Sequence, residues 1–212
     1  MNKYVEMFST YSFCGLIYIA TSFYGHSDIP TDIPSEFIEC SPLDFPAEKP
    51  HVVIQTDHVQ AGYDSTNYLI EQGCTRILFL RSKQGLHRQS GKYIGYQHAL
   101  WEHHIPVDEN LMVTIDHSSA KSAYAKLGEL LDAGIQFDGV HCNSDTAATG
   151  VMHLLKDRGL AVPADVKVFG YTNSNISEYY DPRISSVDME GASKSPLRAK
   201  MEPSTTQSGL SK

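Results

Sequence analysis

Short apolar runs alternate along this chain with stretches in which apolar residues return every three or four positions. The runs are Cys14 to Ala20, Ser35 to Cys40, His51 to Thr56, Arg76 to Leu80, Leu111 to Ile115, Gly139 to Cys142 and Val166 to Tyr171. Most are apolar on both faces and bounded by polar residues, which predicts strands of a parallel sheet covered on both sides. Between them the helical period recurs. Ala61, Ser65, Tyr68 and Leu69 share one face of a helix opened by Asp57 and stopped at Gly73. Tyr93, Tyr96 and Leu100 mark a helix from about Gln89 to Trp101, and Ala123, Leu127, Leu130 and Leu131 one closed by Gly134. Ala148, Val151, Met152 and Leu155 mark another, closed by Gly159. Tyr4, Val5, Phe8 and Tyr11 give a weaker helix signal over Met1 to Tyr11. Pro42, Pro46 and Pro50 exclude a helix between the second and third strands. Strands alternating with helices at this period mean an α/β fold with a doubly wound parallel sheet.

Composition narrows the picture mainly by exclusion. A chain of 212 residues can bury one good core or two small lobes. Its 17 basic residues face 25 acidic ones, a formal net charge of −8, so the chain alone is not expected to hold duplex DNA through phosphate contacts. Cys14, Cys40, Cys74 and Cys142 form no C-x-x-C pair and read as buried free thiols. The histidines lack metal-ligand spacing, so no metal site is expected. No phosphate-cradling glycine pattern and no nucleophile setting occurs, which leaves no cofactor and no catalytic residue to name. The apolar stretch Phe13 to Tyr24 is too short to span a bilayer, and Glu6 sits where a secretion leader needs basic residues. A cytoplasmic protein is expected. Glu190 to Lys212, with Pro196, Pro203 and Ser/Thr clusters, reads as a disordered tail.

The stretch Phe137-Asp-Gly-Val-His-Cys-Asn-Ser-Asp-Thr-Ala-Ala-Thr-Gly150 opens as a strand and turns through Asn143-Ser144-Asp145 into a helix. Ser144 or Asp145 can cap that helix at the sheet's carboxyl end, where open α/β folds hold ligands. With Pro163 to Tyr171 and Asp181 to Val187 it resembles the ligand-sensing domain of the lactose/galactose repressor (LacI/GalR) family. The resemblance runs from about Phe13 to Met189. It implies a periplasmic-binding-protein-like type I fold, with two doubly wound parallel-sheet lobes of which the first is incomplete. Residues 1–74 would form the partial first lobe, 75–186 the complete second lobe, and 187–212 a crossover and tail. Family members start with a helix-turn-helix and two further strands that this chain lacks, so the strand at Gly15–Ala20 should be a sheet edge.

Carried over position by position, the resemblance implies a ligand site of Asp57, Lys92, His117, Ser144, Asp145, Thr172 and Asn173. Asp57 is equally well a plain helix cap, Lys92 a solvated helix lysine, and His117 a surface histidine. Lys92 stands where the family has Arg, Ser144 where it has Asn, and Thr172 where it has Asp. The implied role is sensing a sugar- or nucleoside-like effector for a transcriptional regulator. The homodimer and the helix-turn-helix, the only DNA contact, belong to the parent family. A stand-alone sugar-binding protein of the transport type, or a degraded regulator fragment without ligand, are the alternatives. An enzyme ranks last.

Overall fold

The computed structural model describes residues 14–19, 35–38, 52–54, 56–83 and 86–188. The helix expected over Met1 to Tyr11, the proline-rich connection and the tail from Glu190 lie outside them. The chain divides into two compact units, residues 1–56 and 57–212. In the first, β1 (Leu16–Ile19), β2 (Ser35–Ile38) and β3 (Val52–Ile54) form a parallel sheet in that order. Leu16 lies opposite Ser35, and Glu36 opposite Val52. Among the described residues β1 pairs on one side only, as expected of an edge.

The second unit holds a five-stranded parallel sheet. Its elements are α1 (His58–Glu71), β4 (Ile77–Ser82), α2 (Leu86–Glu102), β5 (Met112–Ile115), α3 (Ala120–Asp132), β6 (Gly139–Cys142), α4 (Asp145–Asp157), β7 (Lys167–Tyr171), α5 (Asn175–Tyr179) and β8 (Ser185–Val187). The strand order is β5-β4-β6-β7-β8, so the chain steps outward from β4 to β5 and then doubles back to β6. That reversal is a topological switch point. Gly73, Gly134 and Gly159 take left-handed φ angles of 90°, 77° and 71°, ending α1, α3 and α4 at the expected residues.

Alternation along the strands divides the core. Leu78 and Leu80 of β4, with Val140 and Cys142 of β6, face Leu127 of α3 and Val151 and Leu155 of α4. Ile77 and Phe79 face the other way, onto Leu69 of α1, Tyr96 and Leu100 of α2, and Phe169 of β7. Both faces are therefore covered, which is why these strands read as continuous apolar runs. Buried Cys74 and Cys142 are free thiols, their pKa values raised mainly by burial, Cys74 to about 11.

Three features depart from the sequence reading. The helix opened by Asp57 belongs to the second unit, because its apolar face covers β6, β7 and β8 and packs along α2. The unit boundary thus falls after Thr56 and not at residue 74. A fifth strand, β8, pairs with β7 through Phe169 opposite Ser185 and Gly170 opposite Ser186. At three residues it is too short to show a period.

His141 breaks the apolar run of β6. It is fully buried, stacks on Phe79 at 4.9 Å between ring centroids, and its Nε2 lies 2.7 Å from Ser65 Oγ. Ser65 Oγ donates to the Ala61 carbonyl at 2.7 Å, so His141 Nε2 carries the proton and donates. Burial first, and the charge of Lys92 second, lower the His141 pKa to about 3. An unfolded chain would take up a proton near pH 6.5 that the folded chain refuses, so this contribution is complete above pH 6.5 and is lost as pH falls toward 3. The expected loss has a limiting slope of about 1.4 kcal/mol per pH unit. Urea unfolding of wild type and His141→Phe at pH 7 and pH 5 measures it: the variant should lose less stability over that interval. Parallel losses would remove the assignment.

Candidate functional site

The carboxyl ends of β5, β6 and β7 bring three turns together, residues 116–119, 143–145 and 172–174. Ser144 caps α4, its Oγ accepting from the Ala147 N–H at 3.1 Å. Ser119 caps α3 in the same manner, accepting from Ser122 N at 3.2 Å. Ser118 Oγ and Ser144 Oγ lie 2.7 Å apart, and Asn143 Nδ2 donates to Ser118 Oγ at 2.8 Å. No donor among the described residues reaches the shielded Asn143 Oδ1.

Asp145 is 1 % exposed and acts as a clasp. One carboxyl oxygen accepts from Ser174 N (2.7 Å), Ser174 Oγ (2.8 Å) and Thr172 Oγ1 (3.3 Å). The other accepts from Ser186 Oγ at 2.6 Å, and that serine in turn accepts from Asn173 N at 3.0 Å. The clasp holds Thr172 and Asn173 at φ angles of 102° and 46°, left-handed conformations that are unusual for residues other than glycine. Both residues are exposed, presented at the sheet's end.

From the opposite face of the sheet, α2 supplies Lys92. Only 5 % of it is exposed, and its ammonium lies 3.0 Å from the centroid of the Tyr171 ring, within reach of a cation–π contact. Its Nζ also lies 3.5 Å from the Asn143 carbonyl oxygen, at the limit of a hydrogen bond. The Tyr171 hydroxyl meets His58 Nδ1 at 2.9 Å. Lys92 is thus a buried lysine, because Gly62 and Gly95 let α1 and α2 approach backbone to backbone around it. A Cβ on Gly62 would fall 2.2 Å from the Lys92 carbonyl oxygen.

A family model described as a periplasmic binding protein-like domain matches residues 66–193. The chain belongs to that family. It is 33 % identical over 135 residues to the HTH-type transcriptional regulator RegA of Clostridium saccharobutylicum, covering 63 % of this chain and 40 % of RegA. To the HTH-type transcriptional regulator GalR of Salmonella typhimurium it is 32 % identical over 137 residues, covering 65 % and 40 %. Among solved structures it resembles a sugar-binding transcriptional regulator of the LacI family from Escherichia coli, complexed with phosphate. That match has a TM-score of 0.65 and 27 % identity, and covers 73 % of this chain and 54 % of the other. The chain therefore spans about two fifths of the length of these curated relatives, which are regulators of the LacI/GalR type.

Within this periplasmic binding protein-like domain the expected residues fall into three groups. Ser144, Asp145, Thr172 and Asn173 come together at the ends of β6 and β7, and Lys92 reaches the same turn through Asn143. His117 is exposed in the neighbouring turn, beside Asp116, which pairs with Lys83 at 2.5 Å. Asp57 accepts from Gln60 N at 2.9 Å, which ties it to its own helix as a cap. Sequence reasoning passed over Ser118 and Asn143. The available signal was a polar side chain in the turn after each strand, Asn143 directly after β6 and Ser118 three residues after the end of β5. No helix among the described residues is long and apolar enough to cross a membrane.

Proposed function

We propose that this chain is the effector-sensing domain of a LacI-type transcriptional regulator. Its effector is a neutral polyhydroxylated molecule, a sugar or nucleoside, seated over the carboxyl ends of the second unit's strands. The carrying observation is the run of short hydrogen-bonding side chains there: Ser118, Asn143, Ser144, Thr172 and Asn173. Each can both give and accept a hydrogen bond, which is what a ligand hydroxyl needs. The likeness to a sugar-binding LacI-family regulator supports this ligand class. In this reading the protein works in the cytoplasm as a homodimer, and DNA is contacted by a helix-turn-helix that these 212 residues do not supply. An excess of 25 acidic over 17 basic residues fits the last point. A stand-alone sugar-binding protein of the transport type would use the same fold.

The test is a thermal melt of the chain with D-galactose, D-glucose, D-ribose, adenosine and guanosine. A binder at a hundred times its Kd adds about 2.7 kcal/mol, a shift of several degrees in Tm. A flat melting temperature across the whole panel would sink the proposal.

A further inference from the structure

Ser118, Asn143 and Ser144 are joined across two strand ends, and their hydrogens can be counted. Ser144 Oγ already accepts from Ala147 N, and Ser118 Oγ already accepts from Asn143 Nδ2. The two hydroxyls, 2.7 Å apart, spend one hydrogen on each other in whichever direction it points. If Ser118 donates, Ser144 has filled both lone pairs and is left with its hydrogen, while Ser118 keeps one lone pair. If Ser144 donates, the roles exchange. In either case the pair presents one donor and one acceptor on adjacent oxygens. Asn143 fixes the balance, because its N–H fills a Ser118 lone pair that would otherwise stand as a second free acceptor.

We propose that Asn143, Ser118 and Ser144 form a hydroxyl-reading subsite that takes a vicinal diol, with Asn143 setting its donor–acceptor polarity. This rests on the effector reading above and adds to it two specificity-determining residues, Ser118 and Asn143. Two adjacent ligand hydroxyls can answer the serine pair in either of its two states, since each hydroxyl both donates and accepts. A ligand lacking one of them leaves a site group unpaired, and such losses discriminate far more strongly than a lost apolar contact. The shielded Asn143 Oδ1 marks the same place as short of a donor. Asn143→Asp inverts the arrangement. The aspartate accepts from Ser118, Ser118 accepts from Ser144, and the free donor disappears. The variant subsite then accepts only, which favours an ammonium or amine over a hydroxyl.

The experiment is isothermal titration of wild type, Ser118→Ala and Asn143→Asp. The probes are D-galactose, D-ribose and adenosine, the monodeoxy derivatives of each, and D-galactosamine. Wild type should bind a parent compound at least about tenfold more tightly than one of its monodeoxy forms. Ser118→Ala should bring parent and monodeoxy form together. Asn143→Asp should weaken the parent by about tenfold and raise D-galactosamine relative to D-galactose. Parent binding with its monodeoxy gap intact in both variants overturns the subsite and leaves the effector reading standing. No binding of any probe to wild type overturns both. Circular dichroism checks each variant's fold, and if one does not fold the other decides.

Discussion

Gly95→Val is expected to unfold the second unit under conditions where the wild type is fully folded. A Cβ at residue 95 would lie 2.0 Å from the Val59 carbonyl oxygen and 2.4 Å from Tyr63 N. Both are backbone atoms of α1, so no side chain can swing aside to relieve the clash. The helices must separate, and that opens the seam covering Leu69, Tyr96 and Leu100. Overpacking a core typically costs 1–3 kcal/mol, and backbone against backbone belongs at or above the top of that range, about 3 kcal/mol or more. Native domains have only about 5–15 kcal/mol in total. Gly128→Ala is the control, since its Cβ would meet only Leu154 Cδ1 at 3.7 Å and an Arg158 nitrogen at 3.9 Å. Helix propensity alone should make it stabilising by up to about 1 kcal/mol. Urea midpoints of the two variants should move in opposite directions. A Gly95→Val midpoint equal to wild type would mean that the seam is not tight.

The seam also shows where sequence reading stops. Apolar periodicity located β4 to β7 and their helices because burial on both faces leaves a period that any sheet-covering element must show. Lys92 carries no such mark. A lysine at a helical position is solvated or buried according to what the neighbouring helix permits, and here Gly62 and Gly95 decide it from another element. Asp145 was legible as important, but its chemistry was not. Its partners Ser174 and Ser186 lie 29 and 41 residues further on and are brought in by the pairing of β7 with β8. Asn143 was legible only as part of a turn, since its partner Ser118 follows a different strand.

Asp145→Ala should be the second most damaging change, and through stability before ligand affinity. It deletes four hydrogen bonds at once, leaving Ser174 N–H and the Ser186 hydroxyl without their acceptor. Each buried group so stranded costs about 1–3 kcal/mol, so a loss of about 3 kcal/mol is expected even after partial rehydration. Asp145→Asn keeps an acceptor for Ser174 and turns an amide toward Ser186 Oγ, which can accept, so it should cost about 1 kcal/mol. Chemical denaturation ranks the three proteins, and hydrogen exchange should show residues 172–176 of Asp145→Ala opening first. An Asp145→Ala midpoint matching wild type, with those amides still protected, would refute the clasp.

The clasp has a consequence for how such a domain can diverge. The brace that holds the β7 turn in its left-handed conformation is built from Asp145 and Ser186, while Ser118 and Asn143 bond to each other, and Ser118 to Ser144, across the ends of β5 and β6. Ser118 and Asn143 thus stand outside the brace, whereas Thr172 belongs to it through its hydrogen bond to Asp145. Descendants of this domain can drift at Ser118, Asn143 and His117, exploring new ligands, without dismantling the brace that keeps the turn in place. The two kinds of position should accordingly accumulate change at unequal rates, fast along the ends of β5 and β6 and slowly at Asp145, Ser174 and Ser186.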